Sequence, residues 1–166
     1  PVIALSSLSV YGSAADGLAE VTENGPLTNN PDASPQCFQQ MEAVYRGALP
    51  TQACVFRCAD IYGGEDPPIE FKVKMAHEYL KGSVPFSGAA LFYRVNVVDV
   101  IDAIAFAIET GLSGTYNLTH AEVPATNAER FNAIGASLEL PPLVFRDELE
   151  SPAVPISVAA LSAAGF

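Results

Sequence analysis

Apolar positions along the chain fall into short blocks separated by turn-forming residues. The first block, "VIALSS" from Val2 to Ser7, closes on two small hydroxyl residues. That is the pattern of a buried parallel strand whose carboxyl end points at a site. Residues 13–35 carry Gly, Pro, Asn, Asp or Ser every few positions and predict a long surface loop. From Gln36 to Gly47 the residues Phe38, Met41 and Tyr45 share one stripe of a helix, with Gly47 near its stop. "QACVFRCADIYG" predicts a second strand at Val55 and Phe56, leading to a Tyr62-Gly63 turn. Two strands with a helix between them make a right-handed crossover, the basic unit of an open parallel sheet.

Helical spacing returns at Ile69, Val73, Ala76 and Leu80, which predicts a helix over Ile69 to Lys81. "RVNVVDV" reads as a strand-like run. Asp99 to Thr110 is apolar on nearly all sides, so an enclosed helix capped by Asp99 is expected. "GTYNLTH" predicts a further strand. Thr126 and Glu129 stand in capping-box spacing ahead of Phe131, Ile134 and Leu138, the expected inner face of another helix. The tail predicts a short helix from Ile156 to Ala164. With neither repeats nor low-complexity tracts, the fold class is α/β.

Composition narrows the function. At 166 residues and 49% hydrophobic content, the chain can bury a core of single-domain size. Eight Lys and Arg against nineteen Asp and Glu give a formal charge of −11. That balance disfavours broad contact with phosphate backbones or anionic lipid, so no nucleic-acid partner is expected. The longest apolar segment, Val95 to Ile108, is broken by Asn96, Asp99 and Asp102, and no membrane-spanning segment is expected. Cys37, Cys54 and Cys58 form no Cys-x-x-Cys pair, and only His77 and His120 could add nitrogen ligands. Neither a disulfide framework nor a metal site is predicted; three free thiols fit a soluble protein of a reducing compartment, cytoplasm or organelle matrix.

Several of these pieces, in this order, resemble the extended short-chain dehydrogenase/reductase superfamily, which contains the NAD-dependent sugar-nucleotide epimerases and dehydratases. The residues that carry the resemblance are Ser6, Ser7, Val10, Tyr11 and Gly12; then Thr22 and Glu23; then Arg57, Ile61, Tyr62 and Gly63; then Asn96, Val97 and Asp99; then Tyr116 and Asn117. Among its branches, the chain is most similar to the atypical nucleoside-diphosphate-sugar epimerase-like proteins of the bacterial YeeZ type. The resemblance implies the C-terminal part of a Rossmann-type doubly wound sheet plus the small substrate-side lobe. Residues 1–66 would supply the last strands and a helix of the nucleotide-binding domain, and residues 67–166 mainly the lobe, with elements returning to the sheet. The Gly-rich turn that cradles the pyrophosphate would lie upstream, since "YGGEDPP" lacks the G-x-G-x-x-G spacing. NAD or NADP is therefore expected only together with a missing N-terminal half, and none for the chain alone. That half, or a larger assembly, is the expected partner, and a nucleotide sugar the expected ligand class.

The resemblance also implies a chemistry and a departure from it. In the family a Tyr transfers the substrate proton, a Lys lowers its pKa and holds the nicotinamide ribose, and a Ser or Thr orients the substrate oxygen. Ser7 matches that Ser. With Glu23 and Glu42 as the fixed points of the register, the Tyr position holds Ser34 and the Lys position holds Phe38. An aliphatic hydroxyl cannot stand in for a phenol as an acid near neutral pH, and Phe38 brings no charge. A catalytically silent protein that keeps the fold for binding or assembly is expected. The alternative is an active enzyme with a relocated acid: Tyr11, Tyr45 or Tyr62. By the same resemblance Ser6, Ser7, Cys58 and Ile61 would face the cofactor, and Tyr11, Tyr62 and Arg57 the substrate. Each has a plainer reading: the tyrosines as packing residues, Arg57 as an ion pair under the sheet, Cys58 as an inert buried thiol. His77 reads as a solvated face residue. A Ser7–His120 hydrolase pair lacks the G-x-S-x-G elbow.

Overall fold

In chain order the computed structural model, which describes residues 1–166, runs β1 (Val2–Ser7), α1 (Ala33–Ala48), β2 (Ala53–Cys58), β3 (Asp60–Tyr62), α2 (Ile69–Leu80), β4 (Ser83–Phe86), β5 (Arg94–Asn96), α3 (Val97–Thr110), β6 (Gly114–Leu118), α4 (Asn127–Ser137), β7 (Val144–Leu149) and α5 (Ala159–Ala163). It is a mixed α/β fold with parallel sheets. β1, β2 and β6 form the main one, in the order β1-β2-β6, with Ser7 opposite Cys58 and Cys58 opposite Leu118. All six residues of β2 are buried, as a central strand covered on both faces requires. Cys54, Phe56 and Cys58 join Val100, Ala103 and Ala107 of α3 in the main core. The alternate residue Arg57 turns to Glu42 of α1 on the opposite face. β1 pairs only with β2, so its other edge is unpaired, and Val2 and Leu5 are exposed there.

A second cluster of elements sits beyond the carboxyl ends of β1 and β2. α2 and α4 meet through Ile69, Val73 and Ile134. The short parallel pair β4 and β7 adds Val84, with Phe86, Phe131 and Phe145 packed around it. Phe131 packs at a tilt against Phe86 and edge-to-face against Phe92, at centroid distances of 5.2 and 5.4 Å, and ties the two groups together. The capping box of α4 is complete: Thr126 Oγ1 accepts from the Glu129 N–H, and the Glu129 carboxylate accepts from the Thr126 N–H.

Several expectations need correction. α1 starts at Ala33, which brings Ser34 and Pro35 into its first turn, where proline's missing N–H has no intrahelical role. Gly47 lies inside its last turn, and Leu49 is the cap. α3 is capped by Asn96, whose Oδ1 accepts from the Val98 N–H, not by Asp99, which lies within the first turn. Nor is α3 enclosed: Val98, Ile101 and Ile108 are each more than half exposed. The 13–35 segment is not all surface, because Ala15, Val21 and Thr28 are buried. Val21 bridges to Ile156, exchanging backbone bonds with Pro155 and Ser157 of 2.8 and 2.9 Å. α5 spans only Ala159–Ala163, since that bridge occupies Ile156. His77 is half-buried with an unpartnered Nε2, not solvated. β4 and β7 were not expected: one contains Pro85, and the other reads "VFRDEL" without a clean alternation. No helix is long and apolar enough to cross a membrane.

Candidate functional site

Parallel strands place their carboxyl ends on one edge of the sheet, where open α/β sheets form clefts. Here β1 and β2 deliver Ser6, Ser7 and Cys58 to that edge, and the α2–α4 group faces them across a cleft of about 740 Å³. Ser7 ends β1 and caps a single 3-10 turn, Leu8–Val10, its Oγ accepting from the Ser9 N–H at 3.1 Å. The turn swings Ser9 into the cleft lining as well, and the buried Ser9 Oγ has no hydrogen-bond partner. Phe38 and Ile61 also line the cleft, whereas Ser34 is exposed at the start of α1 and does not. Of the residues expected to face a cofactor, Ser6, Ser7, Cys58 and Ile61 thus share one cleft. Burial pushes the Cys58 thiol up to about 12 and the Cys54 thiol up to about 11, so neither is poised as a thiolate.

The residues expected to face a substrate separate. Tyr11 and Arg57 are turned into the interior, with relative exposures of 0% and 1%. Arg57 Nε and Nη2 donate to the two oxygens of Glu42 at 2.9 and 2.7 Å. Its Nη1 donates to Tyr11 Oη at 2.8 Å and to the Glu23 carbonyl at 2.9 Å. Tyr11 Oη donates to Asn117 Oδ1 at 2.7 Å, while Asn117 donates its side-chain N–H to the Ser157 carbonyl and its backbone N–H to Glu23. Ser6 Oγ closes the array on Glu42 at 2.7 Å. Each of their polar side-chain atoms has a partner within the fold and both side chains are sealed from solvent, so neither is presented to a ligand. Burial pushes the Glu42 carboxyl up, but the Arg57 and Ser6 hydrogen bonds outweigh it and hold it below the ordinary carboxylate range. Burial raises the Tyr11 phenol in spite of Arg57.

Tyr62 lies elsewhere, in a neighbouring cleft of about 410 Å³, its ring 4.3 Å beneath the Arg94 guanidinium. His120 lines that cleft and a third one, not the cleft that holds Ser7. Tyr45 lines none of the three. The phenol that does line the main cleft is Tyr93, which a search keyed on Tyr-Gly turns passes over. Its Oη accepts from the Ile156 N–H at 3.0 Å, and burial raises its pKa. The cleft's one ammonium, Lys72, is bound to Asp66 at 2.9 Å. Its one carboxylate, Asp60, holds Arg94 at 3.1 Å. No group of three or more His, Cys, Asp or Glu is arranged to hold a metal ion.

The fold has counterparts among solved structures. The dTDP-4-dehydrorhamnose reductase of Yersinia enterocolitica is similar over 98% of this chain and 59% of its own, at 17% identity and a TM-score of 0.69. The dTDP-glucose 4,6-dehydratase of Bacillus anthracis, solved with NAD, is similar over 97% of this chain and 54% of its own, at 23% identity and a TM-score of 0.68. The UDP-glucose 4-epimerase of Thermus thermophilus, also solved with NAD, covers 99% of this chain and 57% of its own, at 22% identity and a TM-score of 0.65. The chain has the Rossmann-like fold of these neighbours. It spans little more than half the length of these neighbours. No protein-family model matches the sequence, and no curated protein matches it. A dinucleotide's pyrophosphate needs a glycine-rich turn at a helix N-terminus, and no G-x-G-x-x-G occurs in residues 1–166. Residues 1–166 therefore contain no such turn to hold a dinucleotide's pyrophosphate, whereas Ser7, Cys58 and Ile61 share the main cleft.

Proposed function

We propose that this chain forms the carboxyl-terminal part of an NAD(P)-binding-fold protein that lacks the usual acid–base relay and acts as a binding or accessory subunit. One observation supports the reading: Phe38, which the resemblance puts at the Lys position, lines the cleft with Ser7 and Ser9, and that cleft's one phenol and one ammonium are both committed. A proton relay needs a phenol held near a charge that lowers its pKa, whereas burial raises the Tyr93 phenol. The relocated-acid alternative finds no support in Tyr11, buried and bound, or in Tyr45 and Tyr62, which lie outside this cleft.

The unpaired edge of β1, with Val2 and Leu5 exposed beside it, supports a partner that continues the sheet. The division at residue 66 into sheet and lobe, the dinucleotide as a ligand of the complete protein, and an intracellular setting belong to the same reading. Its test is turnover by the natural full-length protein with NAD or NADP and either UDP-glucose or dTDP-glucose. The expected result is no epimerised, dehydrated or reduced sugar and no change in nicotinamide absorbance, with dinucleotide binding intact by calorimetry. Turnover at ordinary enzymatic rates, on the order of 1–1,000 per second, would overturn it.

A further inference from the structure

We infer that the main cleft takes as its substrate-side ligand an uncharged, largely apolar small molecule carrying a carbonyl or hydroxyl, and not the diphosphate of a nucleotide sugar. The inference rests on the reading of this cleft as a ligand site and specifies its ligand class. Its volume of about 740 Å³ falls in the range of small-molecule sites. Leu5, Phe38, Ile61, Phe86, Phe92 and Phe131 give it apolar walls. Charge decides the class. A diphosphate carries at least two negative charges and is held by free guanidinium, ammonium or backbone N–H groups. Within the cleft the one cation, Lys72, is neutralised by Asp66. Arg94, on the far side of Phe92, is shared between Asp60 and Asp66 at 3.1 and 3.2 Å. Arg130 is in no ion pair, but it lines that neighbouring cleft and not this one. The field of a chain of formal charge −11 opposes a polyanion further.

Polar recognition in the cleft is confined to neutral groups. The buried Ser9 Oγ has no partner in the fold, although a buried hydroxyl is ordinarily paired. Ser7 Oγ accepts one bond from the Ser9 N–H and keeps its own proton to donate. Asn127 spends one side-chain N–H on the Ser87 carbonyl at 2.8 Å and lines the cleft with the rest. Two hydroxyl residues in the lining of a cleft with aromatic walls suit the carbonyl or hydroxyl of a ring-bearing ligand.

The test uses the natural full-length protein and two probes, the uncharged dye Nile red and UDP-glucose, with direct binding measured by fluorescence and calorimetry. Nile red is expected to saturate at one equivalent. Ile61→Asp, which places a carboxylate at an already exposed wall position, is expected to weaken it at least about tenfold with unchanged thermal unfolding. Ile101→Asp, on the exposed face of α3 outside the cleft, is expected to leave it unchanged. UDP-glucose is expected not to compete. Saturable UDP-glucose binding that Ile61→Asp abolishes would overturn the inference while leaving a binding role intact. Nile red binding indifferent to Ile61→Asp, or no saturable binding of either probe, would also overturn it. Sugar turnover, read separately, would sink the silent-subunit reading alone.

Discussion

Removing the Arg57 guanidinium tests whether the buried array under the sheet is what fixes Tyr11 and Glu42. Both charged partners are sealed, with side-chain exposures of 1% for Arg57 and 0% for Glu42. Arg57→Met keeps the volume of the stem but leaves the Glu42 carboxylate with Ser6 and the half-exposed Arg46, 3.5 Å away. It also strips the donor from Tyr11 Oη and from the Glu23 carbonyl. Breaking one side of a buried pair costs about 3–5 kcal/mol, and at roughly 2–4 °C per kcal/mol for a domain of this size the melting temperature should fall by about 6–20 °C. The loss must depend on pH. In the wild type Glu42 titrates below its ordinary value, so its contribution is present above about pH 4.3 and is lost as pH falls through the lower folded value. In Arg57→Met only Ser6 and Arg46 still oppose burial, the largest influence on this carboxyl, so it is expected to rise above that value and the variant to gain stability as pH falls. The gap between the two proteins should be widest near neutrality and narrow toward about pH 4. Urea unfolding followed by circular dichroism at several pH values measures it. Replacing both partners, Glu42→Met with Arg57→Met, should recover most of the loss. A single-variant loss under about 1 kcal/mol, a loss independent of pH, or a double variant no better than the single would refute the assignment.

Three further outcomes are expected. Asn96→Ala removes the cap of α3 and should cost about 1 kcal/mol in thermal or urea unfolding, whereas Asp99→Ala should cost less, because Asp99 makes no capping bond. Gly12→Ala should destabilise by more than about 1 kcal/mol, because φ there is +47° and the new Cβ would meet Thr28 Cβ at 2.7 Å and Glu150 Oε2 at 2.8 Å. In thiol titration of the native protein at mildly alkaline pH, the exposed Cys37 should react quickly, while Cys54 and Cys58 should react only on unfolding.

How far the sequence reveals this molecule depends on whether the signal is local. The limits of β1 and α2 and the Thr126–Glu129 capping box follow from periods and caps spanning a few residues, and the structure has them where those patterns fall. The cap of α3 is ambiguous in the sequence because Asn96 and Asp99 both precede apolar residues, and only the backbone angles at Asn96, φ −71° and ψ 142°, distinguish a cap from a first-turn acid. β4 and β7 were invisible for another reason. Each is stabilised by the other and by Phe131, about 50 residues from β4, and neither carries an alternating pattern of its own. The same distinction governs the site. Ser7 could be placed from its spacing to Tyr11-Gly12, because a strand and a turn fix it locally. What Tyr11 and Arg57 touch could not, because Glu42, Asn117 and Ser157 reach them from three other segments. Tyr93 is the converse case: no motif marks it, yet the fold carries it into the cleft and ties its hydroxyl to the Ile156 backbone. The Val21–Ile156 bridge that holds Ile156 in place also buries Val21, so the long segment after β1 and the carboxyl-terminal tail together form the wall behind the array. Disrupting that bridge should therefore disturb Tyr93 and the Asn117–Ser157 bond together, two sites that no reading of either segment alone would connect.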